Sequence, residues 1–132
     1  MGTRSLTFVY SDEEPLVCMY RQMDGYPSGH GLELAEFLEP IVMVNGLSLH
    51  DKRKIANGAG CLAAQLVAHF KNEPGSIYLM PTETTDAGQE YEYHIYVTFE
   101  PGPLRVRVLG RSKQLYDGDV AGFLTFCKGD ES

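Results

Sequence analysis

Two segments in the C-terminal half alternate apolar and polar residues without interruption. Within residues 91–99 the odd positions are apolar, and within residues 104–108 two arginines alternate with Leu104, Val106 and Val108. Because successive side chains of a strand point to opposite faces, each segment predicts a strand with one buried and one open face. The chain is therefore expected to build a sheet that is covered on one side.

Other parts of the sequence predict the remaining strands and the covering helices. Residues 6–10 and 16–21 alternate around an acidic turn and predict a hairpin, and residues 76–80 predict a further strand. Residues 32–38 predict a short helix, and residues 57–71 carry apolar side chains at helical spacing. The expected fold is α+β: a single antiparallel sheet of about five strands, an N-terminal hairpin plus a C-terminal three-stranded meander, with two helices packed on one face.

Two regions are harder to assign. Residues 41–56 predict an irregular connection, while residues 120–127 fit either a short helix capped by Asp119 or an edge strand, of which the helix is favoured. In the core, we expect the second helix to pack against the two alternating strands. The residues expected there are Leu62, Leu66, Val67 and Phe70 on the helix and Ile95, Val97 and Val106 on the strands.

Composition restricts the partners and the compartment. A length of 132 residues suits a single domain, residues 1–132, and a net charge of −7 argues against binding long nucleic acid. The longest uncharged stretch, residues 55–70, is too short to span a membrane. Three cysteines without a CxxC pair predict free thiols in a reducing cytoplasm. The sequence leaves open whether the chain forms a homo-oligomer.

The first candidate binding segment is a polar loop just before the predicted short helix. Its candidate ligand-binding residues are Arg21, Asp24, Tyr26, Ser28 and His30. Gly29 and Gly31 stand beside the helix start, where backbone N–H groups and the helix dipole favour a phosphate or a carboxylate. The alternative is a structural connection in which Asp24 and His30 cap backbone groups.

A second glycine-rich segment, Asn57, Gly58 and Gly60, opens the second helix. It lacks the lysine and hydroxyl residue of a P-loop and the spacing of a dinucleotide fingerprint. The segment still predicts an anion site at a helix N-terminus. The alternative is that Asn57 caps the helix and the glycines allow close packing on the sheet.

The third candidate is the open face of the predicted sheet. It would carry Tyr78, His94, Tyr96, Arg105 and Arg107. Arginines can clamp a phosphate with two hydrogen bonds while tyrosines stack on a base or sugar. The alternative is that the two arginines pair with carboxylates of their own chain.

Neither a metal nor a cofactor is expected. The four histidines, His30, His50, His69 and His94, show no metal-ligand spacing and have no cysteine pair nearby. If the chain is an enzyme, His30 and Asp24 would form its general acid–base pair, since both lie in the polar loop.

The run YRQMDGYPSGHG at residues 20–31, followed by residues 34–38 and 57–65, resembles a group of short bacterial and phage proteins that carry a YRQxDGYPxGHG motif. The resemblance covers most of the chain. It implies a bacterial or phage origin and brings no fold, activity or cofactor with it. By analogy with small phage proteins, it suggests evasion of host defence.

Three functions follow from these residues. The favoured one is a non-enzymatic binding protein for a small anionic, nucleotide-like ligand, such as a phage-encoded counter-defence protein that sequesters a nucleotide signal. The second is an acidic protein-binding inhibitor of a host protein, for which the net charge of −7 would be the active feature. The third is a metal-independent hydrolase or phosphodiesterase that uses His30 and Asp24.

Overall fold

The structure is a computed structural model that describes residues 2–46, 54–97, 104–111 and 113–130. Its strands are β1 (Ser5–Ser11), β2 (Glu14–Arg21), β3 (Val42–Val44), β4 (Ile55–Asn57), β5 (Ile77–Met80), β6 (Tyr91–Val97), β7 (Leu104–Gly110) and β8 (Lys113–Gly118). Its helices are α1 (Leu32–Leu38), α2 (Gly58–Phe70) and α3 (Val120–Lys128). A π-helical turn, Pro27–Gly31, leads directly into α1.

Six of the described strands form one sheet in the order β5-β2-β1-β6-β7-β8. β1 and β6 are parallel neighbours at its centre, where Phe8 lies opposite His94 and Tyr10 lies opposite Tyr96. The other neighbouring strands of this sheet are antiparallel. β3 and β4 pair in parallel as a separate two-stranded sheet. The main sheet is therefore mixed.

The expectation of a single antiparallel sheet of about five strands with two helices is wrong. The described residues form a six-stranded mixed sheet, a two-stranded sheet and three α-helices. Alternation indicates which face a residue occupies and not which strand lies beside it, so the parallel pair has no sequence signal. β8 has the sequence KQLYDG, mostly exposed at the sheet edge, and shows no apolar alternation.

The region expected to be an irregular connection, residues 41–56, instead contains two strands. β3 and β4 have three residues each, which is too short to show a period in the sequence. Residues 47–53, including His50, lie outside the described part of the chain, as do residues 98 and 99 at the end of the strand predicted over residues 91–99.

The segment 120–127 adopts the favoured alternative and lies within α3. Asp119 caps this helix, because its Oδ1 accepts a hydrogen bond of 2.8 Å from the backbone N–H of Gly122. α3 packs on β7 and β8 and buries Phe123 and Cys127. None of the helices among the described residues is both long and apolar enough to cross a bilayer.

The main core lies between the sheet and the helices. Leu62 and Leu66 of α2 are completely buried, and Val67 and Phe70 pack partly buried against the same core. The expected strand residues, Ile95, Val97 and Val106, belong to this core as well. The helix itself lies over β1 and β2, so its position on the sheet differs from the expected one over β6 and β7.

The opposite face of the sheet is partly open. A small buried cluster of Leu6, Phe8 and Cys18 occupies its middle. Beside this cluster, His94 lies opposite Arg107 and Tyr96 opposite Arg105. The alternation predicts a common face for these residues but not this pairing. The fold therefore presents these four side chains together on one surface.

Candidate functional site

The predicted site residues lie at opposite ends of the central strands. Ser5 at the start of β1 pairs with Arg21, so the polar loop after Arg21 lies at the end of the sheet where β1 begins. Ser11 and Val97, the last residues of β1 and β6, mark the other end. Tyr96, Arg105 and Arg107 of the open face meet Ala59 of α2 at this second end.

A cavity of about 630 Å³ lies at the end of the sheet marked by Ser11, and we name it the first cavity. It is lined by Ser11, Asp12, Ala59, Tyr96, Val97, Arg105, Arg107 and Asp117. The carboxyl ends of the two parallel strands thus meet the start of β7 and the first turn of α2. Tyr96, Arg105 and Arg107 were predicted from the open face, and Ala59 lies between Gly58 and Gly60 of the second glycine-rich segment.

The two arginines of the first cavity have different partners. Arg105 binds Asp117 with two hydrogen bonds, Nε to Oδ1 at 2.6 Å and Nη2 to Oδ2 at 2.8 Å. The hydrogen bond from Arg105 holds the pKa of Asp117 below its usual value. Arg107 donates from Nε to Oε1 of Gln114, which is neutral, at 2.9 Å. Asp117 also lies opposite Arg107 in the register of β7 and β8, and the charge of Arg107 is a lesser cause of its lowered pKa. Arg105 therefore holds this carboxylate with two hydrogen bonds, whereas Arg107 hydrogen-bonds an amide.

Four rings lie stacked across β1 and β6 on the open face. The ring centroids of Phe8 and His94 are 4.8 Å apart, those of His94 and Tyr10 are 5.7 Å apart, and those of Tyr10 and Tyr96 are 4.6 Å apart. Tyr96 lines the first cavity, so the stack ends there. The stack depends on the parallel pairing of β1 with β6, which the sequence pattern does not indicate.

His94 is held by hydrogen bonds from both ring nitrogens. Its Nε2 lies 2.9 Å from Oε1 of Glu92, and because a carboxylate only accepts, Nε2 carries the hydrogen. Nδ1 of the same ring lies 2.6 Å from the hydroxyl oxygen of Tyr10. The hydrogen bond from His94 holds the pKa of Glu92 below its usual value, and burial raises the pKa of Tyr10. Contacts at both ring nitrogens thus fix the orientation of His94 within the stack.

The polar loop at the other end of the sheet is tied to the core. The Tyr93 hydroxyl donates to the carbonyl of Gly25 at 2.7 Å. A Cβ on Gly31 would lie 3.0 Å from Sγ of Cys127 and 3.1 Å from the ring of Tyr93, so the close packing of this turn favours glycine. The glycines of the loop thus permit close approach to the core.

His30 lies completely buried within this loop. Arg21 donates from Nη1 to Nδ1 of His30 at 3.1 Å, and Nε2 of the same ring lies 2.8 Å from Oγ1 of Thr7. Burial, and then the charge of Arg21, lowers the pKa of His30 to about 3. The ring packs beside Phe70 and Tyr93. His30 is thus a neutral core residue in this structure.

The remaining candidates of the loop lie near its surface, away from the first cavity. Asp24 is exposed, and its Oδ1 accepts from the Tyr26 hydroxyl at 3.4 Å. The backbone N–H of Ser28 donates to Oδ2 of Asp130 at 2.9 Å. Arg21 lines a different cavity, which we name the second cavity. The loop and the open face therefore do not form one site.

The start of α2 differs from the expected capping arrangement. Asn57 makes no side-chain cap on the helix, and its Oδ1 instead accepts from the backbone N–H of Gly46 at 2.7 Å. Gly58 adopts a φ of 80°, which favours glycine, and Gly60 is exposed. The first turn of α2 is thus open towards the first cavity at Ala59.

Among the described residues no group of three or more His, Cys, Asp or Glu side chains could hold a metal ion. Comparison of the chain with protein families, with curated proteins and with solved structures finds no match. The function is therefore inferred from the residues and their geometry alone.

Proposed function

We propose that the protein binds a small anionic, nucleotide-like ligand in the first cavity without transforming it. The observation that carries the proposal is that this cavity unites Arg107, Tyr96 and the glycine-rich start of α2 at Ala59. Its volume of about 630 Å³ lies within the range of roughly 300–1,000 Å³ that is usual for small-molecule sites. The three features supply an anion contact, a stacking surface and a helix N-terminus.

Arg107 is the group that would bind the anion. Its Nε is used by the neutral Gln114, and Asp117, which lies opposite Arg107, is already held by Arg105 through two hydrogen bonds. Two guanidinium groups thus share one carboxylate. A guanidinium presents several N–H groups in one plane, and this geometry suits two oxygens of a phosphate. Arg105 would serve mainly to shape the wall, because it is already bound through two hydrogen bonds to Asp117.

Tyr96 would provide the surface for a base. Its ring is supported from behind by Tyr10 at a centroid distance of 4.6 Å, with the planes 13° apart. A base stacked on an aromatic side chain gains roughly 1–3 kcal/mol, and the gain does not require a particular base. Asp12 offers a carboxylate on the same cavity for the hydroxyl groups of a sugar.

The geometry supports a hydrolase built on His30 and Asp24 less well. Both ring nitrogens of His30 are engaged by Arg21 and Thr7, and the ring is completely buried. A general acid–base must reach the proton of its substrate.

The proposal also places the protein in a reducing cytoplasm, which agrees with three free cysteines. Sequestering a nucleotide signal would suit the evasion of host defence that the resemblance suggests.

Thermal unfolding in the presence of ligands tests the proposal. We expect adenosine monophosphate and cyclic nucleotides to raise Tm more than adenosine or inorganic phosphate, because only the nucleotides engage both Arg107 and Tyr96. A ligand at about 100 times its Kd stabilises the fold by about 2.7 kcal/mol, which thermal unfolding readily detects. If no nucleotide at millimolar concentration shifts Tm, the proposal is wrong.

A further inference from the structure

We propose that the second cavity binds a lysine or arginine side chain of a basic protein partner. This cavity of about 550 Å³ lies between α1, the carboxyl end of α2 and the residues before β5. It is separate from the first cavity, because Arg21 lines it at the end of the sheet where β1 begins. The inference is independent of the nucleotide-like ligand.

The wall of the second cavity is aromatic. Phe37 and His69 stack with their ring centroids 4.7 Å apart, and the ring of Phe70 stands nearly perpendicular to His69 at 5.0 Å. All three residues line the cavity. Aromatic faces attract cations through the negative potential above the ring, and an aromatic corner of this kind is a usual way of holding an ammonium or guanidinium group.

A positively charged group of the same chain already uses this wall. Nζ of Lys54 lies 5.6 Å from the centroid of the Phe37 ring, and Lys54 lines the cavity. The side chain of Lys54 is exposed, so it can leave the ring face without disturbing the core. We infer that Lys54 acts as an internal stand-in, which the side chain of a partner displaces.

The charges around the cavity favour a positively charged occupant. Glu33, Glu36 and Glu73 line it, while its lining cations are Arg21 and Lys54. Arg21 is paired with Glu33, so these two charges offset each other, and Glu36 and Glu73 remain against Lys54. His69 and Phe70 end α2, and the negative end of a helix dipole adds to the attraction for a cation.

The charge of the whole chain favours a protein as the source of this side chain. With a net charge of −7, the chain attracts basic proteins over a distance of several ångströms, and the cavity then holds one side chain of the partner. A free polyamine offers the same ammonium chemistry but no further surface contacts. A basic peptide should therefore bind more tightly than spermidine.

Titration calorimetry of the full chain with a tetralysine peptide tests this inference. Lys54→Met removes the internal ammonium and keeps the apolar stem, so we expect the peptide to bind roughly two- to fivefold more tightly, the range of an exposed cation–π contact. Lys113→Met is the matched control, because Lys113 is exposed on β8 and its loss changes the net charge equally. We expect a smaller gain from this control.

Two further arms decide the outcome. Glu36→Gln should weaken peptide binding more than Glu83→Gln, which makes the same charge change outside the cavity. Spermidine should bind more weakly than tetralysine. If Lys54→Met and Lys113→Met have equal effects, the attraction comes from net charge alone, and the second cavity is not the binding site. Equal effects of the two glutamine variants would lead to the same conclusion. If spermidine binds more tightly than tetralysine, the proposal that the partner is a protein is wrong.

Discussion

Arg21 donates a hydrogen bond from Nη1 to Nδ1 of the completely buried His30, 3.1 Å away. A guanidinium stays protonated and can only donate, so Nδ1 of His30 carries no hydrogen. The hydrogen of the neutral ring is then on Nε2, which faces Oγ1 of Thr7 at 2.8 Å. His30 therefore positions Arg21 and joins the polar loop to β1 through Thr7.

This arrangement predicts that acid weakens the fold through His30. The pKa of His30 is lowered to about 3 in the folded chain, against an ordinary value near 6.5, because burial and Arg21 disfavour its charge. Below about pH 6.5 the unfolded chain binds a proton that the folded chain does not, so stability falls as the pH falls.

Urea unfolding of the wild type and of His30→Gln measures this effect. The glutamine amide can accept from Arg21 and donate to Thr7 but has no proton to gain. Between about pH 7.5 and about pH 5.5 the wild type should lose about 1.4 kcal/mol more of its free energy of unfolding than the variant. Equal losses would mean that His30 is protonated in the folded chain.

The core of α2 gives a second prediction. Leu66 is completely buried, so Leu66→Ala should lower the free energy of unfolding by roughly 2–5 kcal/mol. Leu79, whose side chain on β5 is 61% exposed, is the matched control, and Leu79→Ala should cost less than about 1 kcal/mol. Denaturant unfolding compares the two, and similar costs would contradict the position of α2.

The three cysteines should differ in reactivity. Cys61 is exposed on α2, whereas Cys18 and Cys127 are buried, and burial raises their pKa values to about 11 and about 12. Only thiolates attack a disulfide reagent at an appreciable rate. In a colorimetric thiol assay of the native protein, a single thiol should react rapidly, and Cys61→Ser should abolish that fast phase. A fast phase that survives in Cys61→Ser would contradict the burial of the other two thiols.

The hydrogen bond between His94 and Glu92 gives a fourth prediction. It holds the pKa of Glu92 below the usual value, so His94→Phe, which keeps a ring in the stack, should raise that pKa. Carbon NMR of the Glu92 carboxyl group follows the titration. The stabilising effect of Glu92 is present above the ordinary carboxyl pKa and is lost as the pH falls through the lowered one. An unchanged midpoint in the variant would exclude His94 as the main cause.

The open face could be predicted from the sequence because alternation is a local property. Arg105 and Arg107 share the open face with His94 and Tyr96 because the apolar faces of both strands turn to the core, and the register of β6 and β7 brings the four residues side by side. The contact of Tyr10 with Tyr96 could not be predicted in this way. It requires β1 and β6 to lie side by side in parallel, and the two strands are far apart in the sequence.

The burial of His30 could not be predicted because its cause lies outside the loop. The loop is rich in glycine and polar residues, which is typical of binding loops. Thr7, however, is a buried polar residue on β1 and requires a hydrogen-bond partner, which His30 supplies. Only the three-dimensional path of the chain brings His30 to Thr7.

Binding of adenosine monophosphate to Arg107→Gln, measured by titration calorimetry, tests the nucleotide-like ligand most directly. Hydrogen bonds to a charged group contribute about 1.5–3 kcal/mol, so the variant should bind roughly tenfold or more weakly than the wild type. Arg111→Gln is the control, because Arg111 lies in the turn after β7 with its side chain 82% exposed and outside the first cavity. Its affinity should equal that of the wild type. Equal affinities of the two variants would contradict a site built around Arg107.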